Sequence, residues 1–417
     1  MIAILLSLFM AYQTPPSVLV IMSDDLGWTE TSLMPEVGEL ANQGVMFTRA
    51  YSWPVCSSTR LAAMFGRYPR RNGIGAIELD PNVIADDRLP LSLFSTAELF
   101  KAGGYATATT GKWHLGRAPL FGEMDSVTSG PYCQGWDAWP AGNPASLGAG
   151  AATGYYSWAK VVDGSLTIST QYASDGQRID FLAWWNATPG QKLGWLCFNA
   201  PHQTELGFEP PPGMSPTGTV RGDYEQIVTN LDAQIGLVLD QISLSDTFVI
   251  FLSDNGTPDP ARPIGTPSGF WKTTTYEGGV HVPMVVAGPG VSSGVSTSRL
   301  VSVVDIGSTI AELVGIDVPA GFDDSQSFAN ELGSWSGTAQ RSFVFTEIYN
   351  SNYDDQAVIE SQWKLRRWGT PGGTFQDRAY HLPTDPWEQA PIDPVFLPAS
   401  LRNRLYAELA SIPPRAP

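Results

Sequence analysis

Basic clusters, long apolar runs and cysteine are all scarce in this chain of 417 residues. Lysine and arginine number 24 against 41 aspartates and glutamates, so the formal net charge is −17. This balance argues against a nucleic-acid partner, because contact with the phosphate backbone requires a basic surface. Charged residues make up only 16% and hydrophobic residues 43%, which excludes long disorder and indicates a sizeable core. The length favours one large domain with a smaller one.

The N-terminus is the most apolar part of the chain. Met1–Met10 is apolar and is followed by Ala11–Pro16, a pattern that is typical of a signal peptide and too short to span a bilayer. We therefore predict a signal peptide over residues 1–14 and a secreted or periplasmic protein with no membrane span. No lysine or arginine precedes the apolar stretch, so an N-terminal strand packed into the fold is the alternative.

Three cysteines are present, and an odd number in an exported protein leaves at least one unpaired or chemically special. Cys197 lies in an apolar run, which is typical of a buried small side chain. Cys56 lies instead in the polar stretch Cys56–Arg60. It is the cysteine whose surroundings favour a chemical role, while Cys133 has no informative context.

Short apolar strands alternate with helical patterns, which predicts a parallel α/β sheet. The predicted strands are Val18–Met22, Tyr105–Thr110, Leu193–Phe198, Thr247–Leu252 and Met284–Ala287, and the predicted helices are Pro35–Gln43, Ser92–Lys101 and Asp223–Ile242. Residues 118–170 are rich in Gly, Ala, Trp and Pro, which favours a long surface insertion. Beyond residue 320 the pattern predicts three short strands and a closing helix, listed as Phe343–Glu347, Gln362–Arg366, Ala379–Leu382 and Ala399–Ile412. We place a catalytic domain at 15–325 and a C-terminal subdomain at 326–417.

Acidic and amide side chains follow two of the predicted strands directly. Asp24 and Asp25 follow the first strand, and Asp254 and Asn255 follow the strand at 247–252. In open α/β sheets ligands bind beyond the carboxyl ends of the strands. Oxygen ligands suit Ca²⁺ or Mg²⁺, so the two pairs predict a divalent cation site if they meet. The alternative for each pair is turn chemistry or helix capping.

Two of the four histidines also follow predicted strands. His114 comes after Lys112, and His202 ends the segment 199–202, which indicates roles in proton transfer. Lys112 and Lys272 supply the positive charge that an oxyanion such as sulfate or phosphate needs. His281 and His381 have no such context and are interpreted as structural.

The chain carries a series of characteristic segments in a fixed order: Ile21–Trp28, Leu40–Phe47, Val55–Arg60, Gly66–Pro69, Gly111–Gly116, Ala200–His202, Ser253–Gly256, Lys272, Tyr276–Gly279, Trp363–Leu365 and Tyr380–Pro386. Taken together, these segments resemble the formylglycine-dependent sulfatases of the alkaline phosphatase superfamily. The resemblance implies an alkaline phosphatase-like α/β fold. Its large, mixed, mostly parallel sheet is sandwiched by helices, and a smaller C-terminal α+β subdomain follows.

The resemblance also implies a role for each matched residue. Cys56 would be oxidised to formylglycine by a formylglycine-forming maturation enzyme, and the hydrate would supply the nucleophilic hydroxyl. Arg60 would hold that residue, Lys112 and Lys272 would bind sulfate oxygens, His202 would protonate the leaving alcohol, and His114 would accept a proton from the second hydroxyl. Ca²⁺, or alternatively Mg²⁺, would be bound by residue 56 together with Asp24, Asp25, Asp254 and Asn255.

The modification motif departs from the family pattern at two positions. Ser58 stands where the family has Pro or Ala, and Phe65 replaces a small or polar residue. Two alternatives to a sulfatase therefore remain: a phosphatase, phosphodiesterase or phosphonate hydrolase on the same scaffold, and an inactive sulfated-glycan-binding relative. If Cys56 stays a thiol, it lacks the hemiacetal route for releasing sulfate.

The tryptophans indicate the substrate. Trp136, Trp139 and Trp158 cluster within the predicted insertion, and aromatic faces stack on sugar rings. We therefore expect a sulfated small molecule or glycan, preferably a carbohydrate sulfate. The alternative is that these rings pack in the core.

Overall fold

A central sheet of eight strands dominates the structure, a computed structural model that describes residues 14–75, 92–115, 130–147, 153–162, 164–333 and 341–415. Its strands are β1 (Ser17–Ser23), β2 (Gly44–Tyr51), β3 (Ala106–Gly111), β6 (Lys192–Cys197), β7 (Thr247–Ser253), β8 (His281–Ala287), β9 (Val295–Thr297) and β10 (Val301–Ser302). A separate hairpin is formed by β4 (Trp158–Val162) and β5 (Ser165–Ser169). Residues 1–13, which hold most of the predicted signal peptide, lie outside the described residues, and no described helix is long and apolar enough to cross a membrane.

The sheet is mixed and mostly parallel. Its order is β10-β2-β8-β7-β1-β6-β3, with β9 paired to β2. The four consecutive strands β7, β1, β6 and β3 run parallel, whereas β8 is antiparallel to both of its neighbours. The carboxyl ends of the parallel strands therefore meet at one edge, where the fold places its ligand-binding loops.

Helices cover both faces of this sheet. They are α1 (Pro35–Asn42), α2 (Cys56–Phe65), α3 (Thr96–Ala102), α4 (Ala173–Ala187), α5 (Val220–Leu239), α6 (Glu277–Val280) and α7 (Ile306–Val314). Alternation along β1 sends Val18 and Val20 into the core beneath α2 and α7, while Leu19 and Ile21 pack on the side of α5. Burial on both faces explains why these strands are apolar throughout.

The C-terminal part forms a small antiparallel sheet and a helix. Its elements are β11 (Phe343–Tyr349), β12 (Asp354–Glu360), β13 (Trp363–Gly369), β14 (Phe375–His381) and α8 (Ala399–Ser411). The predicted α+β subdomain is confirmed as an architecture, and its boundary at residue 326 stays a prediction. The sheet contacts the main part near the functional edge, since Thr346 donates a hydrogen bond to the Ser52 carbonyl oxygen at 2.9 Å.

One interpretation of the sequence was wrong. Trp136, Trp139 and Trp158 are at most 2% exposed and pack in the core, so they offer no face to a sugar. Where it is described, the segment 118–170, predicted as a surface insertion, combines these buried rings with the β4–β5 hairpin, whose second strand is largely exposed. Helix α5 also lies about three residues earlier than predicted, because Thr219 caps it by accepting a hydrogen bond from the Gly222 N–H.

Candidate active site

The two acidic pairs predicted from the sequence lie side by side at the functional edge of the sheet. β1 and β7 pair in parallel and in register, with Ser23 opposite Ser253, so the residues that follow each strand are neighbours. The Asp25 N–H donates a hydrogen bond to Asp254 Oδ1 at 3.1 Å. Asp25 has a positive φ of 72°, a left-handed turn that brings its carboxylate back toward the strand end.

Two buried oxygens in this cluster have no hydrogen-bond partner among the described residues: Asp24 Oδ1 and Asn255 Oδ1. The Asn255 amide is oriented by its Nδ2, which donates to Asp25 Oδ1 at 2.7 Å, so its oxygen faces away. Buried oxygens without partners are costly unless something binds them. The oxygens of Asp24, Asp254 and Asn255 form a set of ligands that fits a hard divalent cation.

Cys56 lies at the same place, as the first residue of α2. Its Sγ and one carboxylate oxygen each of Asp24 and Asp254 lie within 4.8 Å of one another. The side chain is 1% exposed and forms no disulfide, and the pKa of the thiol is raised by burial, an effect that the charges of Lys112 and Lys272 oppose. Cys133 and Cys197 are also free, so none of the three cysteines is held in a bridge.

Arg60 links helix α2, which begins at Cys56, to the loop that carries Asp254. It lies one turn after Cys56 and is fully buried. Its Nε and Nη2 donate to Asp254 Oδ2 at 3.0 and 2.7 Å, and its Nη1 donates to the Lys112 carbonyl oxygen at 2.7 Å. The Asp254 charge raises the pKa of Arg60 despite its burial. This forked geometry fixes three separate segments relative to one another.

Lys112 and Lys272 each contact one of the aspartates. Lys112 Nζ lies 2.6 Å from Asp24 Oδ2, and Lys272 Nζ lies 2.5 Å from Asp25 Oδ1. These carboxylates raise the pKa of both lysines, against the effect of burial, and keep them charged. With Arg60 and Asp254 included, three cationic groups balance three carboxylates. A bound divalent cation would therefore make the site positive and suited to an anion, in a protein that is strongly acidic overall.

Both predicted histidines lie at this edge. His202 Nδ1 lies 2.6 Å from the Gln203 carbonyl oxygen, which can only accept, so Nδ1 carries the proton and Nε2 is the nitrogen that faces Asp25 Oδ2 at 3.8 Å. Burial and the charges of Lys272 and Lys112 lower the pKa of His202. His114 has a positive φ of 55°, and burial among cationic groups lowers its pKa well below the usual range.

Two supporting residues were missed by the sequence analysis. Tyr224 in α5 donates a hydrogen bond to the Asp25 carbonyl oxygen at 2.9 Å, and Tyr155 donates to the His202 carbonyl oxygen at 3.0 Å. Each tyrosine holds the backbone of a site residue from a distant part of the chain. Neither carries a local sequence signal, because a single tyrosine in a helical pattern, or in a Gly- and Ala-rich segment, does not distinguish a supporting residue from a core residue.

The other residues named in the sequence analysis are Ser58, Phe65, His281 and His381, and each of them makes contacts with neighbouring residues. Ser58, the departure in the modification motif, donates a hydrogen bond to the Ile74 carbonyl oxygen at 3.3 Å, and Phe65 is fully buried. His281 packs between Trp28 and Tyr51, and His381 Nδ1 lies 2.9 Å from Thr384 Oγ1. The two histidines interpreted as structural thus lie outside the cluster around Cys56.

The chain is similar in sequence to known proteins. A family model described as Sulfatase matches residues 16–316. Human arylsulfatase A is 30% identical over 88% of this chain and 78% of its own length, and mouse N-acetylgalactosamine-6-sulfatase is 27% identical over 73% of this chain. The match spans 64% of the length of that mouse relative.

Solved structures show the same fold. The structure of Ps i-CgsB in complex with k-i-k-neocarrahexaose has a TM-score of 0.76 at 21% identity, covering 95% of this chain and 92% of that one. The structure of BT4656 in complex with its substrate D-glucosamine-2-N,6-O-disulfate has a TM-score of 0.73 at 15% identity, covering 95% and 97%. The predicted alkaline phosphatase-like fold is thereby confirmed. From the family match over most of its length, the chain belongs to the sulfatase family.

Proposed function

We propose that this protein hydrolyses a sulfate monoester, with a formylglycine derived from Cys56 as nucleophile and a divalent cation bound beside it. In the reaction one water molecule is consumed, and an alcohol and inorganic sulfate are released. One observation carries the proposal: residue 56 begins a buried helix within 4.8 Å of oxygens of Asp24 and Asp254, and the charges of Lys112 and Lys272 act on it.

Asp24, Asp25, Asp254 and Asn255 would hold the cation, with residue 56 as a further ligand. The support is the two buried oxygens without hydrogen-bond partners described above, together with the oxygen ligands of all four side chains, which favour Ca²⁺ or Mg²⁺ over zinc. A nitrogen of His202 also lies within 4.8 Å of carboxylate oxygens of Asp24 and Asp25. When bound, the cation supplies positive charge that polarises sulfate oxygens and favours ionisation of a coordinated hydroxyl. Arg60 would keep Asp254 charged and in place for this purpose.

The hydrate of a formylglycine at residue 56 would supply two hydroxyls. One would attack sulfur as the alcohol leaves, and the other would lose its proton so that the aldehyde re-forms as the carbon–oxygen bond to sulfate breaks. Lys112 and Lys272 would bind the sulfate oxygens and stabilise the negative charge that grows on them in the transition state. Both lysines are already held by aspartates, so little reorganisation is needed when substrate arrives.

His202 would donate a proton to the leaving alcohol oxygen through Nε2, the nitrogen not committed to the Gln203 carbonyl. The bound sulfate ester carries a negative charge, which raises the pKa of a nearby histidine and favours the protonated form that this role requires. His114, whose pKa is low and whose ring is therefore neutral, would accept the proton from the second hydroxyl.

A carbohydrate sulfate is the proposed substrate class. The support comes from similar proteins: the mouse relative is an N-acetylgalactosamine-6-sulfatase, and BT4656 was solved in complex with its substrate D-glucosamine-2-N,6-O-disulfate. Maturation would require a formylglycine-forming enzyme, and export as a secreted or periplasmic protein would follow from the N-terminal pattern.

A phosphate or phosphonate ester is the second candidate, because Ser58 alters the modification motif and phosphate is nearly isosteric with sulfate. The discriminating experiment offers sulfate and phosphate esters of the same phenol and of the same sugars to the protein, with Cys56→Ala as control. Sulfate release that is lost in the variant supports the proposal. Phosphate release without sulfate release supports the second candidate, and no release with tight binding supports an inactive glycan-binding relative.

A further inference from the structure

A separate aromatic cavity lies at the same edge of the sheet, between the main sheet and the C-terminal subdomain. Its volume is about 400 Å³, within the range of small-molecule sites, and it is partly open to solvent. None of the residues clustered around Cys56 lines it. It is bounded by loops that carry those residues, since Trp28 follows Asp25 by three positions and Trp271 precedes Lys272. Below it is called the aromatic cavity.

Stacked rings form the wall of the aromatic cavity. His281 lies between Trp28, with ring centroids 5.3 Å apart and planes 6° apart, and Tyr51, at 5.2 Å and 24°. On the other side Trp387 packs against Trp271 at 5.2 Å. Trp28, His281 and Trp387 are only half-buried. Aromatic surfaces of this kind present flat apolar faces to a ligand ring, and hydroxyl and amide groups of Thr29, Ser298 and Gln362 line the cavity beside them.

The acidic group of the aromatic cavity is already neutralised. Glu277 Oε2 accepts a hydrogen bond from the Tyr51 hydroxyl at 3.2 Å and lies 3.3 Å from His281 Nδ1. Its Oε1 lies 2.7 Å from Lys364 Nζ, which also contacts Glu388. The Glu277 carboxylate is therefore directed into the protein toward cationic partners, and those partners lower its pKa despite burial.

Arg49 is a cationic residue of the cavity that has no carboxylate partner among the described residues. Its side chain lines the cavity and interacts with the Tyr51 hydroxyl, but its Nη2 is left without a hydrogen-bond partner among the described residues. No described carboxylate forms an ion pair with it, whereas Arg60, Arg341 and Arg366 each pair with an aspartate. A buried guanidinium nitrogen without an acceptor is unfavourable, and an anionic ligand would supply one.

We propose that the aromatic cavity is a second binding site, which takes an anionic sugar unit by stacking its ring on the aromatic wall and pairing its charged substituent with Arg49. The choice of a sulfated sugar rests on the proposed function, but binding in the cavity requires no chemistry at residue 56. A glycan with several sulfated units could then be held here by one unit while another is presented elsewhere.

The test uses the full chain carrying Cys56→Ala and 5-fluorotryptophan, with the fluorine resonances of Trp28 and Trp387 assigned from Phe substitutions. The probes are the 6-sulfates of galactose, N-acetylgalactosamine and N-acetylglucosamine, their unsulfated parents, and inorganic sulfate. At least one sulfated sugar should shift both resonances with saturation and bind more tightly than its parent and than inorganic sulfate. Arg49→Gln should weaken that binding at least about tenfold, the effect of losing one charge-assisted hydrogen bond.

Arg299→Gln is the matched control, since Arg299 is half exposed, lies outside the cavity lining and should leave the affinity unchanged. Absence of saturable shifts with all three sulfated sugars, or equal affinity in Arg49→Gln and its parent, would overturn the proposal. If inorganic sulfate bound as tightly as the sulfated sugars, the proposal that the aromatic wall binds a sugar ring would be overturned. Aryl sulfate hydrolysis by otherwise native Arg49→Gln is measured separately, so a failure of the proposed function is distinguished from a failure of this site.

Discussion

The contribution of the Arg60–Asp254 ion pair to stability can be measured without any assumption about the substrate. Both side chains are fully buried, and two donors of Arg60 converge on one oxygen of Asp254. Arg60→Met removes the cation and leaves the carboxylate without its main partner. Breaking a buried pair in this way costs about 3–5 kcal/mol of unfolding free energy. Asp254→Asn removes the opposite charge and keeps an acceptor for the Asp25 N–H.

The double variant should lose less unfolding free energy than the sum of the losses in the two single variants, because it contains no buried charge whose partner has been removed. We expect a coupling free energy of about 2–3 kcal/mol, near the upper end of values for contacting residues. Unfolding in urea, followed by tryptophan fluorescence with a chelator present throughout, measures this quantity without a contribution from bound metal.

The exposed pair Arg404–Glu360 provides the control. Its N–O distance is also 2.7 Å, but the arginine side chain is 55% exposed. Exposed pairs contribute about 0–1 kcal/mol, so the same cycle there should give a small coupling that falls further in high salt. A coupling at Arg60–Asp254 no larger than at the exposed pair would refute the reasoning that burial makes this contact strong.

Three further outcomes follow from the structure. His202→Ala should reduce kcat/KM for alkyl sulfates far more than for nitrophenyl sulfate, since only poor leaving groups need a proton; equal losses would contradict the role. Burial raises the pKa of Glu347 to about 7 from 4.5, so its contribution to stability is complete below pH 4.5 and is lost as pH rises through 7. Between pH 5 and pH 8 the free energy of unfolding in urea should therefore fall less in Glu347→Gln than in the unmodified protein, and an equal fall in both proteins would contradict this. Gly256→Ala should destabilise the fold and abolish activity, because the added Cβ would collide with the Gly278 carbonyl oxygen. In Gly38→Ala, within α1, the added Cβ meets nothing within 4 Å, so this variant should be neutral or stabilising by up to about 1 kcal/mol. Equal melting temperatures of the two variants would be inconsistent with this packing.

The positions of the chemical groups could be predicted from the sequence because they follow apolar strands directly. The stretches before Asp24 and Asp254 are buried on both faces, so they read as continuous apolar runs with abrupt polar ends. Parallel pairing then brings those ends together at one edge. The convergence of Asp24 with Asp254 thus follows from a general rule of α/β sheets and needs no knowledge of side-chain packing.

Other features were beyond such reasoning because distant packing decides them. β12 begins with Asp354 and Asp355, which argue against a strand until Asp355 is seen paired with Arg366 on β13. Strand β2 was not predicted, although it begins at Gly44, directly after the predicted helix Pro35–Gln43, where the Gly44 Cα packs closely against Ala287. The prediction that Trp158 lies at a substrate-binding surface was wrong because aromatic composition alone does not distinguish a binding surface from a core.

The chemical identity of residue 56 decides whether this protein uses a formylglycine. The measurement is mass spectrometry of the peptide that contains residue 56, from protein made with and without a formylglycine-forming enzyme, alongside sulfate release by the same samples. We expect a fraction of the peptide to carry an aldehyde in place of the Cys56 thiol, and sulfatase activity to rise in proportion to that fraction. Both should be higher in Ser58→Pro. Sulfate release that is undiminished in samples whose peptide is wholly unmodified, or in Cys56→Ala, would contradict this expectation.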